Sequence, residues 1–267
     1  MMYWNVKHLR KRIPLLKNPV FIEGLPGIGN VGKLTAEFLI AETKAKPLVD
    51  FLSPSLPHSV FVNEHNLVQL PSIRLFCKRS KDNKRDLLIL VGDVQPATEE
   101  SAYSFCGTLL DLLNTFGCTQ VVTLGGIGLG SAPQHPKVYC TGADKESVDS
   151  FVKGTKLQTS LYGLVGPIIG ITGLLVGLAA ERKMSAVALL AETLGHPLFI
   201  GVRGAQEQLK VLAKKFSITL DFNRVKREVK EIEANMLIRQ DDVKGMSTGP
   251  GLKGYKDTLG KDVTYIG

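Results

Sequence analysis

The apolar positions of this chain change period repeatedly, and those changes mark its elements. Pro19–Glu23 (PVFIE) is extended in character and runs into GLPGIGNVG. Beyond it Val31, Leu34, Phe38 and Ala41 recur at three, four and three residues. A strand, a glycine-rich turn and an amphipathic helix are predicted. A short strand over Leu48–Leu52 leads into a Pro/Ser-rich turn. Ser59–Asn63 and Leu67–Cys77 then read as a hairpin-like excursion with a basic tip after Cys77. Asp86–Val91 (DLLILV) is too apolar for a half-exposed strand and is predicted to be central and parallel. Ala102, Phe105, Leu109, Leu112 and Phe116 form one helical stripe. Gln120–Leu124 predicts another buried strand, opening into the glycine cluster Gly125–Gly130.

After an irregular stretch, Leu161–Ala180 reads as a buried loop and helix, and Ser185–Leu190 as a strand. Two helices are predicted near Ala205–Phe216 and Arg224–Met236, the second with Val225, Val229, Ile232 and Met236 on one face. This alternation predicts an α/β fold with a largely parallel sheet flanked by helices. From Asp241 the periodicity stops, and the Gly- and Lys-rich residues that follow bury too little apolar surface to offset their ordering entropy. The expected organisation is one domain over residues 1–240 and a flexible tail over 241–267.

Composition narrows the function classes. The formal net charge is +8, with basic runs at Lys7–Lys17, Lys78–Arg85 and Arg224–Lys230. Such charge suits an acidic partner surface or nucleic acid, and the competing reading is that the runs are solvated faces and a hairpin tip. No stacking aromatics or nucleic-acid motif accompany it, so nucleic acid is not expected as a ligand. Cys77, Cys106, Cys118 and Cys140 are scattered, without the spacing of a metal site, and fit buried thiols in a reducing cytoplasm. The basic N-terminal residues lack the apolar stretch of a signal peptide. Leu161–Ala180 carries no charge, but Pro167 and five glycines interrupt it, which argues against a membrane span.

The candidate chemistry is concentrated in one motif. Gly27, Gly29 and Gly32 form a G-x-G-x-x-G between strand and helix, and Asp50 follows near the end of the next strand. This is the dinucleotide-binding pattern, with the pyrophosphate at a helix N-terminus and the acid on a ribose. Against it, Gly24-Leu25-Pro26 loosens the turn and Glu23 brings negative charge close to a phosphate site. The competing reading is that the glycines permit close helix–sheet packing. Asp93, at the end of a predicted strand, suits either a catalytic acid or a helix cap. His135 and Lys137 follow the second glycine cluster without a nucleophile–base partner. No catalytic residue, metal ligand or cofactor is assigned.

The blocks PVFIEGLPGIGNVGKLTAEFLI (19–40), GDVQP (92–96), VVTLGGIG (121–128), GPIIGITGLL (166–175), ALLAETLGHP (188–197) and SITLDFNRVKREVKEIE (217–233) resemble the archaeal proteasome assembly chaperone (PAC2) family. The resemblance implies a fold related to the nucleoside phosphorylases without their catalytic residues. It also implies a non-enzymatic, cytoplasmic homo-oligomer that binds proteasome α subunits or the core particle. Archaeal members dock with a hydrophobic–Tyr–any C-terminus. Here Val263, Tyr265, Ile266 and Gly267 are the corresponding residues, with the Tyr third from the end rather than second.

Overall fold

In the computed structural model, the described residues are 4–11, 14–80, 85–161 and 166–246, with side chains described as far as residue 234. In chain order the first elements are β1 (Asn5–His8), β2 (Val20–Gly24), α1 (Val31–Thr43), β3 (Lys46–Leu52), β4 (Phe61–Val62) and β5 (Val68–Gln69). Next come β6 (Ile73–Lys78), β7 (Leu87–Gly92), α2 (Glu99–Thr115), β8 (Gln120–Leu129), β9 (Val138–Gly142) and α3 (Lys145–Val152). The chain continues with α4 (Ile171–Glu181), β10 (Ser185–Leu194), α5 (Val202–Lys215) and α6 (Phe222–Met246).

Strand β2 is buried at every position, which places it inside the sheet rather than at an edge. Among the described residues the sheet has eight strands in the order β1-β3-β6-β7-β2-β8-β10-β9. The four central strands, β7, β2, β8 and β10, are parallel. The flanking pairs are antiparallel. The α/β expectation therefore holds, with the parallel part confined to the apolar centre.

Helices cover both faces. Phe21, Phe105, Leu109, Ile171 and Leu175 join α2 and α4 to one face. Ile22, Val31, Leu39, Leu209 and Val225 join α1, α5 and α6 to the other, where Phe151 of α3 also packs. All four cysteines are buried and free, and burial pushes the Cys106 and Cys140 thiols up to about 12. They serve as small core residues.

Several expectations change in detail. Strand β8 runs through the glycine cluster to Leu129, because β10 pairs with it along its whole length, from Ser185↔Gln120 to Leu194↔Leu129. The irregular stretch contains β9 and α3, too short to give a periodic signal. The extended stretch Leu67–Cys77 divides at Pro71-Ser72: β5 stays outside the main sheet and β6 enters it between β3 and β7. Proline removes a ladder donor, and Ser72 is instead held by Asp93, whose carboxylate accepts from its N–H at 3.0 Å and its hydroxyl at 2.9 Å. Among the described residues no helix is long and apolar enough to cross a membrane. Helix α6 continues past the boundary expected at 240, and residues 247–267 lie outside the described residues.

Candidate functional site

The parallel strands end together, and the loops after β2 and β7 meet the start of α4 at that edge. Gln95 ties them: its amide donates to Pro26 O at 2.5 Å, and its carbonyl accepts from Ile171 N at 2.9 Å. Beneath them lies Glu23, fully buried on β2. Its carboxyl accepts from Leu25 N at 2.8 Å and from the Thr172 hydroxyl at 3.4 Å. Burial raises its pKa from the ordinary 4.5 to about 7, more than those hydrogen bonds lower it. Thr123 reinforces the junction by donating to Thr172 O at 2.9 Å.

The glycine-rich loop is occupied by the protein itself. A 3₁₀ turn, Ile28–Asn30, closes it, with Asn30 N donating to Gly27 O at 2.9 Å. Gly29 has a left-handed backbone (φ 60°), and its carbonyl accepts from Gly201 N at 2.7 Å, which ties the loop to the start of α5. A Cβ on Gly32 would lie 2.2 Å from Leu124 O, so α1 can approach β8 only with glycine there. Gly126 plays the reciprocal part, since a Cβ on it would lie 2.4 Å from Ile28 O. The glycines thus bring α1 and the loop onto the sheet.

Asp50 is elsewhere. It lies on β3, separated from β2 by β6 and β7, and its carboxylate accepts from Arg74 Nε and Nη2. In the dinucleotide pattern the acid's strand adjoins the glycine strand. The structure does not bring Gly27, Gly29 and Gly32 together with Asp50, and the packing reading of the glycines is the favoured one. Asp93 does not cap α2. Thr98 does, accepting from Ser101 N at 3.2 Å in a reciprocal capping box. Asp93 holds Ser72 and faces Lys33 at 3.6 Å. His135 is exposed, and Lys137 contributes its backbone N–H to Glu192 at 2.9 Å.

The opposite kind of surface lies on the excursion between β3 and β6. There β4 and β5 pair only with each other, in register Phe61↔Gln69 and Val62↔Val68. Val60, Phe61, Val62, Leu67, Val68 and Leu70 are all exposed, Leu70 to 78%. At the base of this hairpin a groove of about 740 Å³ is lined by Leu52, Leu56, Val60, Leu70 and neighbouring prolines. Clustered exposed apolar side chains are characteristic of surfaces that bind partners. Periodicity alone predicted the strands and gave no indication that they would face solvent. Val263, Tyr265, Ile266 and Gly267 lie outside the described residues.

Comparison with known proteins fits this arrangement. The chain is similar to PbaB of Pyrococcus furiosus, described as an archaeal proteasome activator. The two are 29% identical, covering 91% of this chain and all of that one, with a TM-score of 0.79. The fold also matches PbaA of the same organism, an archaeal homolog of proteasome-assembly chaperone, at 23% identity over 91% and 94% of the two chains, with a TM-score of 0.70. An uncharacterized protein of Methanocaldococcus jannaschii, MJ1210, is 27% identical over 84% of this chain and 83% of its own. The model of the PAC2 family matches residues 21–237, and the chain belongs to that family.

Proposed function

We propose that this protein is a non-enzymatic, cytoplasmic adaptor or assembly chaperone of the proteasome that acts as a homo-oligomer. The observation that carries the reading is the β4–β5 hairpin, where six large apolar side chains project on a strand pair with no partner in the main sheet. Apolar side chains left in water lose the burial energy of about 1.5–3 kcal/mol each that a partner surface would supply. A second copy is the natural occupant, because hairpin and basal groove lie side by side on each protomer and offer knob and slot together. The similarity to PbaB supports the proteasome as client. Docking in this reading uses the tail: Tyr265 enters a pocket between α subunits, flanked by Val263 and Ile266, while the Gly267 carboxylate meets a basic residue. Oligomerisation turns several weak tails into useful avidity.

The test is a pulldown of the cognate proteasome α subunits and core particle. It uses the intact protein, a form ending at Asp262, and the double variant Val62→Glu, Val68→Glu. The intact protein is expected to capture the core particle, truncation to abolish capture, and the hairpin variant to weaken it through lost avidity. Capture that survives truncation moves the client interface to the folded domain. Failure of the intact protein to capture either target overturns the proteasome reading.

A further inference from the structure

A pocketed surface lies far along the sheet from the hairpin, where the end of β10 meets α5 and α6. A slot of about 280 Å³ is walled by Pro133, Pro136, Phe199, Ile200 and Val202. It has room for one aromatic or branched aliphatic side chain. The slot continues into a shallower groove of about 380 Å³ whose rim carries Arg203, Lys210, Lys226, Arg227 and Lys230. The carboxylates of that rim are Glu207 and Glu233, and Glu192 lines the slot itself, where its carboxylate accepts from Lys137 N and the Tyr139 hydroxyl. Glu207 pairs with Lys210, and Glu233 accepts from Arg203 Nε and Nη2. Lys226, Arg227 and Lys230 are exposed and have no ion-pair partner among the described residues.

Two further features point into the same place. Helix α5 begins here at Val202 without a side-chain cap and without an acidic residue in its first turn. Its N-terminal amides and dipole therefore favour a bound anion. Thr193 lines the slot, and its hydroxyl is packed between the backbones of Gly29 and Gly201, with no hydrogen-bond partner among the described residues. Buried hydroxyls are rarely left unpaired.

We propose that this groove binds an acidic segment of a partner protein, one apolar side chain entering the slot while flanking carboxylates meet the rim cations and the start of α5. A peptide fits better than a small anion because the cations extend along two helices beyond the slot. It fits better than nucleic acid because Glu207 and Glu233 interrupt the cationic strip and Phe199 is the single aromatic ring lining the slot, with no run of rings for successive bases to stack on. Glu233 holds the place of a ligand carboxylate at Arg203, so the partner competes with it. No hairpin residue lines the slot or the groove, and this inference does not rest on the proteasome reading.

Fluorescence polarisation on the full-length protein tests it. The probes are labelled peptides with a central Phe, Tyr, Leu, Ile or Val between triplets of Glu, matched peptides with central Ser, and a labelled single-stranded oligonucleotide. At least one apolar-centred peptide is expected to bind saturably and more tightly than its Ser-centred counterpart. Lys226→Glu with Lys230→Glu should weaken it by about tenfold or more, the fold being unaffected because both side chains are exposed and unpaired. Lys7→Glu with Lys11→Glu makes the same charge change remotely and should move the affinity by less than about twofold. Glu233→Gln frees Arg203 and should tighten binding severalfold. Absence of saturable binding across the peptides overturns the proposal. So does equal binding of Ser-centred peptides, an equal loss in both lysine pairs, or tighter binding of the oligonucleotide with the same dependence on Lys226 and Lys230.

Discussion

The glycine-rich junction at the sheet centre and the β4–β5 hairpin are both rich in features that a sequence reader associates with binding, yet they end in opposite states. At the junction, Gly32 lets α1 descend onto Leu124, Gln95 clamps Pro26 to Ile171, and even the charged side chain, Glu23, is enclosed. At the hairpin, apolar side chains from Val60 to Leu70 stay in solvent because the strand pair leaves the sheet between Leu52 and Ile73. A glycine motif removes side chains, and neighbouring backbone fills the space as readily as a phosphate does. An apolar strand pair outside the core has only intermolecular burial left to it. The motif therefore marks where the fold is closed, and the hairpin where apolar surface stays uncovered.

The largest effect expected from breaking this contrast is at Gly32. Alanine there places a methyl against the Leu124 carbonyl, and urea denaturation should register a loss of about 3 kcal/mol or more. Stability within about 1 kcal/mol of the parent would mean that the junction has room and that the packing account is mistaken.

Next is the pH dependence carried by Glu23. Below pH 4.5 it is protonated in both folded and unfolded chains. Between 4.5 and about 7 the folded state keeps a proton that the unfolded state has released, so stability falls as pH rises. Above that window the loss is complete at about 3 kcal/mol. Glu23→Gln should therefore gain on the parent steadily from pH 4.5 to 7 and hold the advantage at pH 8, as read by denaturation at each pH. A constant difference between the two proteins across that range would contradict the buried-carboxyl account.

Asp50→Asn ranks third. It breaks a partly exposed pair with Arg74, and a cost of about 1 kcal/mol, reduced by salt, is expected. Neither parent nor variant should show saturable thermal stabilisation by NAD, ATP or nucleosides. Such stabilisation in the parent, lost in Asp50→Asn, would restore the dinucleotide reading.

The smallest effect on the fold is expected at the hairpin. Val62→Glu with Val68→Glu should leave monomer unfolding within about 0.5 kcal/mol, since both side chains are exposed at 63% and 70%. The measured mass by light scattering should nevertheless drop toward that of the single chain. An unchanged oligomer would place self-association on another surface.

Much of the fold was readable because its signals are periodic. Strands β2 and β7 and helices α2 and α5 stand close to where their apolar spacing puts them. The glycine cluster in β8 was misleading, since glycine next to a strand suggests a loop until β10 supplies the partner that keeps it extended. Of the site, Gly27, Gly29 and Gly32 were visible as a motif, but Gln95, Thr172 and Thr193 were not. Their roles come from contacts with Pro26, Glu23 and Gly29, far from them in sequence.

The sequence by itself determined the alternation of strand and helix, the α/β class and the family, because these follow from local spacing and residue type. Only the tertiary structure decided that Glu23 is enclosed, that Asp50 belongs to Arg74 rather than to the glycine loop, and that Val62 and Val68 face solvent. The physical reason is strand order. Which strands become neighbours fixes which polar groups meet and which apolar ones are left uncovered, and no local window of residues encodes it.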